Sequence, residues 1–407
     1  MESLRELYKV GTGPSSSHTM GPQRAALDFA GRYPAAVRYR VTLFGSLSAT
    51  GKGHLTDEII IKTMAPKPCE IVFDHTTKDL PHPNVLDIEG FDADGALIAK
   101  KRYLSVGGGT IRAENEPEMD RRDIYPFKNF QEIAQYCEEK NCSLDRVVFN
   151  FEDSGIYDFL LFIWKTMKAA ILRGLKAEGT LPGKLKVDRK AKILFEADHE
   201  EEELTTRDNR MICSFAFATS EENASGGTIV TAPTCGASGV LPAVLLFLSR
   251  KYGYSDRKIV SALAVAGLIG VTIKQNASVS GAEAGCQAEV GTATAMAAAA
   301  ACTLFGMDMQ KVQYAAGIAL EHQLGLTCDP VGGYVQIPCI ERNAVAALRA
   351  LVSAQLAKVL HNTRKLSFDL TVEAMFETGK DLNYRYRETS EGGLAALYGT
   401  EGLQVDD

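Results

Sequence analysis

The chain has 407 residues, of which 45% are hydrophobic and 23% charged, with a formal charge of −7. That acidic balance, with no long run of Lys or Arg, excludes a nucleic-acid surface, and the longest nearly polar-free stretch, residues 259–273, is too short to span a bilayer and reads as a buried core helix. Nine cysteines at unpatterned spacings, behind an N-terminus with no signal-type apolar stretch, predict free thiols in a reducing, cytoplasmic compartment.

The length predicts two domains. In the first, residues 37–44, 70–73, 96–99 and 102–106 carry β-branched and aromatic side chains between turn residues and predict short strands. Glu58-Ile-Ile-Ile-Lys62 predicts a further helix or strand, and Gly107-Gly-Gly109 closes the region. An α+β domain over residues 1–145 follows. Two of its loops are chemically dense. Ser15, Ser16, Ser17 and Thr19 surround His18; their hydroxyls and the loop amides can hold a carboxylate, and a helix starts at Gly21-Pro22. A well-capped turn is the bland alternative. In residues 45–57, Lys52 and His54 stand among glycines and are candidates for proton transfer or for holding substrate charge, because both pKa values are tunable. An exposed loop competes with that reading.

From residue 145 onward the pattern is helical, predicting a mostly all-α domain over residues 146–407. Residues 159–172 are apolar around most of the helix circumference and predict burial. Residues 188–209 are charge-rich and predict an exposed excursion or linker. Residues 231–239, Thr-Ala-Pro-Thr-Cys-Gly-Ala-Ser-Gly, predict a helix N-terminus with spare amide donors. Ser255 predicts an N-cap for a helix ending near Lys274, the alanines of 293–301 a closely packed helix, and residues 345–357 another. The polar run Asn276-Ala-Ser-Val-Ser-Gly281 directly precedes a cysteine and predicts that Asn276, Ser278 and Ser280 lie near any metal held there.

Three cysteines stand in segments punctuated by Gly or Pro: Cys286 after Gly281-Ala-Glu-Ala-Gly, Cys328 before Asp329-Pro-Val-Gly-Gly, and Cys339 after Pro338. Their spacing is too irregular for a zinc finger, whose ligands come as close pairs. It suits an iron–sulfur cluster on three thiolates, with one iron open as a Lewis acid. Buried thiols packing as small hydrophobes are the competing reading.

Several longer segments resemble bacterial iron–sulfur-dependent L-serine dehydratases: Gly13-Pro-Ser-Ser-Ser-His-Thr19, residues 44–54, Ala277-Ser-Val-Ser-Gly-Ala-Glu-Ala-Gly-Cys-Gln287, Gly325-Leu-Thr-Cys-Asp-Pro-Val331, Pro338-Cys-Ile-Glu-Arg-Asn343 and residues 386–395. The likeness runs from about residue 3 to 395 in the order of the single-chain form, a β-type domain followed by an all-helical cluster domain. It implies a [4Fe-4S] cluster on Cys286, Cys328 and Cys339, no pyridoxal phosphate, an amino-acid substrate, a carboxylate-binding loop at Ser15–Thr19 and a second histidine at His54. A base near neutral pKa is expected, His54 first, with His18 and Lys52 as competitors. A homodimer is the expected assembly. Two departures from the family pattern stand out. Cys235 and Ser238 replace the usual Asn and Cys, and no cysteine follows Cys339, so Cys235 is a candidate fourth ligand to the open iron. A related lyase on L-threonine, L-cysteine or another 3-hydroxy amino acid is the alternative within enzymes. An iron–sulfur redox sensor is the alternative outside them, and a pyridoxal-phosphate enzyme a further one.

Overall fold

Residues 38–45 alternate between buried and exposed positions, as a strand with one covered face must. The computed structural model describes residues 1–116, 123–197, 202–360 and 363–401. In chain order the first part contains β1 (Val10–Thr12), α1 (Gly21–Arg32), β2 (Arg38–Gly45), α2 (Ser46–Thr50), α3 (Thr56–Met64), β3 (Cys69–Phe73), β4 (Asn84–Phe91), β5 (Leu97–Ser105) and β6 (Ile111–Ala113). Five strands form one sheet in the order β3-β2-β4-β5-β6, with β2 and β3 parallel and the other pairs antiparallel. Phe29 of α1 and Ile59, Ile60 and Met64 of α3 cover one face, against Tyr39, Val41, Leu43, Leu86 and Ile88.

One expected pair of strands merges, one helix-or-strand alternative resolves, and one strand lies outside the expectation. Residues 96–99 and 102–106 form one strand, β5, not two. The run from Glu58 is helical and belongs to α3, while the centre of the sheet is β4, whose Asp87 and Glu89 disguise it. Asp87 is buried because Arg102 on the neighbouring strand grips it with two hydrogen bonds, at 2.6 and 2.9 Å.

The rest is helical: α4 (Phe130–Lys140), α5 (Leu144–Phe151), α6 (Ile156–Gly174), α7 (Ala191–Glu196), α8 (Leu204–Ala224), α9 (Val240–Tyr252), α10 (Asp256–Asn276), α11 (Gly281–Ala284), α12 (Thr292–Leu304), α13 (Met309–Glu321), α14 (Cys339–Leu360), α15 (Phe368–Asp381) and α16 (Gly393–Glu401), with one short strand, β7 (Thr228–Val230). The alanine-rich α12 lies at the centre, buried on all sides, against α9, α10, α13 and α14. Helices α10 and α14 have the length and composition of membrane spans, but 78% of the apolar window of α10 is inside the protein, as a core helix requires. Helix α6 is buried on one side only; Phe162 and Leu172 are exposed. Within residues 188–209 the described part contains α7 and the start of α8, and residues 198–201 lie outside the described residues.

The seam between the two cores falls earlier than residue 145. The sheet ends at Ala113, and Tyr125, Phe130, Ile133 and Val147 already belong to the helical core. So does the start of the chain. Leu4 packs on Gly267 and Leu7 on Gly270, so close that a Cβ at either glycine would lie 2.6 Å from a leucine methyl. The two glycines of the core helix are there to admit these side chains. Strand β1 then pairs antiparallel with β7, Val10 opposite Val230. This clasp delivers the serine-histidine loop directly onto the helical domain.

Candidate active site

Two turns of π-helix mark the site, at Ser16–Met20 and Gln287–Gly291, one leading into α1 and the other into α12. Such turns are rare and gather at functional positions. The first is fixed by its own hydroxyls. Ser15 Oγ accepts from the His18 amide at 3.1 Å, and Thr19 Oγ1 donates to the His54 carbonyl at 2.7 Å. His18 and His54 are thereby stacked, ring centroids 4.4 Å apart, and neither is exposed.

The hydrogen bonds assign both tautomers. Ser46 Oγ donates to the Glu388 carbonyl at 3.0 Å, so it accepts from His18 Nε2 at 2.9 Å, and His18 Nδ1 accepts from Ser17 Oγ at 2.9 Å. His54 donates from Nδ1 to the Thr50 carbonyl at 3.0 Å. Its Nε2 therefore carries a lone pair, and that buried atom has no hydrogen-bond partner among the described residues. Burial pushes His54 down to about 4 and His18 well below the ordinary range. The expected base with a near-neutral pKa is replaced by a neutral, desolvated imidazole.

Across the domain seam, Cys286 follows Gly285, which holds φ +75, Cys328 lies in a loop, and Cys339 opens α14. The Cys328 loop is locked by backbone bonds to residues 386–388: Cys328 N–H to the Tyr386 carbonyl and Glu388 N–H to the Cys328 carbonyl, both 2.8 Å. All three cysteines, with His54, Ser15, Glu289 and Glu388, line one cavity. The sulfurs of Cys286 and Cys328 and a Glu289 oxygen lie within 4.8 Å of one another, and so do His18 Nδ1, His54 Nε2 and Glu388 Oε1. A hydrogen bond from the Cys328 thiol and the charge of Arg342 outweigh burial and bring Cys286 down to about 7, whereas Cys328 and Cys339 stay well above the ordinary thiol range. Burial pushes Glu388 up to about 8 and Glu289 well above the carboxylate range.

The donor set fits an iron–sulfur cluster. Three free, converging soft sulfurs share a buried cavity with a cation beside them, and the wall is cut back to fit. A Cβ at Gly281 would sit 3.1 Å from Cys328 Sγ and 2.7 Å from Glu289 Oε2.

Other expected site residues lie elsewhere. Cys235 is buried, but its sulfur meets Met20 Sδ at 3.3 Å and it packs with Ala170 and Ile229; only its neighbour Gly236 reaches the cavity. Burial pushes its thiol up. Lys52 is exposed, with its ammonium 5.6 Å from the Phe73 ring centroid. Asn276 caps carbonyls of Lys128 and Thr272. Ser278 hydrogen-bonds Glu283, and both Ser278 and Ser280 line a separate cleft beside Gly107, because α11 carries the chain away from them before Cys286. In the serine loop, Ser15 reaches the cavity while Ser17 and Thr19 hold the histidines.

Four site residues lie outside the sequence expectation: Glu289, Glu388, Ser46 and Arg342. Arg342 donates to the Thr327 carbonyl at 2.6 Å and to Asp329 at 3.3 Å, beside Cys328. Glu388 and Arg342 stand within the segments that carried the resemblance, and their proximity to those cysteines in sequence or pattern was the available signal.

Residues 110–395 match the serine dehydratase alpha chain, and residues 3–70 and 62–116 match the serine dehydratase beta chain. The chain is 39% identical over 446 residues to an L-serine dehydratase of Streptomyces coelicolor, covering 97% of this chain and 98% of that one. L-serine dehydratase 1 of Escherichia coli is 39% identical over 449 residues, with 97% and 99% covered. An L-serine dehydratase of Helicobacter pylori is 37% identical over 450 residues, with 97% and 98% covered. With both regions matched in one polypeptide and relatives similar over nearly its whole length, the chain belongs to the serine dehydratase family.

Proposed function

We propose that this protein is an L-serine dehydratase that converts L-serine to pyruvate and ammonia, with a [4Fe-4S] cluster held by Cys286, Cys328 and Cys339. The observation that carries the reading is one cavity lined by three cysteines and by His54, whose Nε2 lone pair has no partner among the described residues. When bound, the cluster would supply an open iron as Lewis acid for the β-hydroxyl leaving group. The protein supplies the rest. Ser15, which lines the cavity, and the amides of Ser16 and Ser17 at the start of the turn receive the substrate carboxylate. His54 Nε2 takes the α-proton; its Nδ1–H bond to Thr50 and the His18 ring beneath it hold the acceptor in line. Loss of that proton and of hydroxide leaves 2-aminoacrylate, which tautomerises and hydrolyses in water to pyruvate and ammonia. Ser46, donating to Glu388 O, holds His18 in place, and burial keeps that ring neutral. All nine cysteines are free thiols, which supports a reducing compartment.

The test is anaerobic purification, iron and sulfide analysis, and a pyruvate assay with L-serine. About four irons and four labile sulfides per chain are expected, with activity lost in air and resistant to carbonyl reagents. Single Cys286→Ser, Cys328→Ser and Cys339→Ser variants should lose both cluster and turnover. Stoichiometric zinc without labile sulfide would overturn the cluster assignment.

A further inference from the structure

Glu289 and Glu388 are the two carboxyls lining the cavity among the described residues. Glu289 keeps company with the sulfurs of Cys286 and Cys328, and Glu388 with the two histidines. Glu388 Oε1 lies 3.7 Å from His54 Nε2 and 3.5 Å from His18 Nδ1. An α-amino acid offers its α-hydrogen and its ammonium on adjacent atoms joined by a bond of about 1.46 Å. Two acceptors 3.7 Å apart can meet that pair together, the imidazole at the α-hydrogen and the carboxylate at the ammonium.

We infer that Glu388 is the receptor for the substrate's α-ammonium and so restricts the enzyme to amino acids, excluding hydroxy acids of the same shape. The inference rests on the dehydratase reading above and assigns a group that reading leaves unheld.

Glu388 is built into place from both domains. Its backbone has φ +58, a left-handed conformation that costs a non-glycine residue energy and turns the side chain inward. Its amide bonds the Cys328 carbonyl, and its carbonyl accepts from Ser46 Oγ. A metal-side cysteine and the ammonium receptor are thus adjacent positions on one backbone pairing. The distance from leaving group to amino group is set by that pairing, not by a mobile side chain. Binding the ammonium at Glu388 also keeps the amino group protonated while the α-hydrogen leaves, which acidifies the carbon–hydrogen bond being broken.

The experiment compares Glu388→Gln and Glu289→Gln holoenzymes, each with iron content and visible spectrum verified, against wild type that turns over L-serine. Three quantities are read: KM for L-serine, the inhibition constant of D-serine, and that of glycerate, which has hydroxyl and carboxylate but no ammonium. Glu388→Gln is expected to raise the serine KM and the D-serine constant about 100-fold, the loss of one buried charge-assisted contact, while glycerate binds as well as before or better. Glu289→Gln is expected to leave the ratio of D-serine to glycerate binding unchanged. Equal weakening of D-serine and glycerate by Glu388→Gln would make Glu388 a merely structural residue and overturn the inference. So would a selective loss of D-serine in Glu289→Gln. Wild type with an assembled cluster and no serine turnover would instead sink the dehydratase reading, a separate result.

Discussion

His18 and His54 lie ring on ring, 4.4 Å between centroids and 30° between planes, with both side chains closed off from solvent. They are 36 positions apart in the chain, and the serine loop and the glycine-flanked loop meet only because Thr19 and Thr56 bond carbonyls across them, Thr19 to His54 and Thr56 to His18. The pair divides the work by hydrogen bonding. His18 is occupied at both nitrogens, whereas His54 is anchored at one and open at the other.

This burial predicts a pH dependence of stability. His54 titrates at about 4 when folded against an ordinary value of 6.5. Between those values the unfolded chain binds the proton and the folded chain does not, so stability is full above about 6.5 and falls as the pH drops. The His54 share of the loss between pH 7 and pH 5 is about 2 kcal/mol. Denaturant unfolding at the two pH values, followed by the buried single Trp164, should show His54→Gln losing less than wild type. An identical loss in both proteins would show that His54 is not desolvated.

Much of this was legible in the residues, and the rest was hidden for definite reasons. Cysteines in Gly/Pro segments and a histidine among serines announce chemistry because those types have few other reasons to be placed so. Helices α10 and α12 were legible from apolar and alanine runs. Strand β4 was not, because Asp87 is neutralised by Arg102 on a different strand, a tertiary fact. Glu388 and Glu289 look like ordinary surface acids; only folding brings them to a buried cavity. Lys52 and Asn276 show the converse error, since nearness in sequence to a site residue does not fix the direction of a side chain. Lys52 is two residues from His54 and faces solvent.

Cys235 tests whether a buried thiol beside the site is a ligand. Its sulfur contacts Met20 Sδ at 3.3 Å within a small apolar cluster. Cys235→Ala should therefore cost about 1 kcal/mol in stability, as a small cavity does, and leave the visible spectrum and iron content unchanged. A shifted spectrum would show that the thiol reaches the cluster.

Gly281 is a steric gauge of the cavity. A methyl group there would come within 2.7 Å of Glu289 Oε2 and 3.1 Å of Cys328 Sγ, so Glu289 must swing and Cys328 must give way. The Gly281→Ala chain should fold, with unaltered far-ultraviolet circular dichroism, but hold less iron per chain than wild type and turn over serine at least ~10-fold more slowly. Native iron content together with native turnover would mean that the wall has slack at this point.

Asn343 carries the last prediction, because it joins the start of α14 to the Thr231–Gly239 segment. The side chain is buried; Nδ2 donates to the Gly236 carbonyl at 2.7 Å and to the Cys339 carbonyl at 2.8 Å, and Oδ1 accepts from the Gly239 amide at 2.9 Å. Asn343→Ala removes the partner of the buried Gly239 amide and of the Gly236 carbonyl together. Each orphaned group costs about 1–3 kcal/mol, so a loss of about 2–4 kcal/mol is expected in denaturant unfolding. Asn343→Asp keeps the acceptor and loses both donations, and it adds charge to a buried place. It should therefore be no better than Ala, even though it is closer in shape. Cys339 is one helical turn before Asn343, so both variants should also lose iron faster to a chelator than wild type. A faster iron loss without lower stability would make Asn343 a local brace for Cys339. Lower stability with unchanged iron release would confine its role to holding the two segments together.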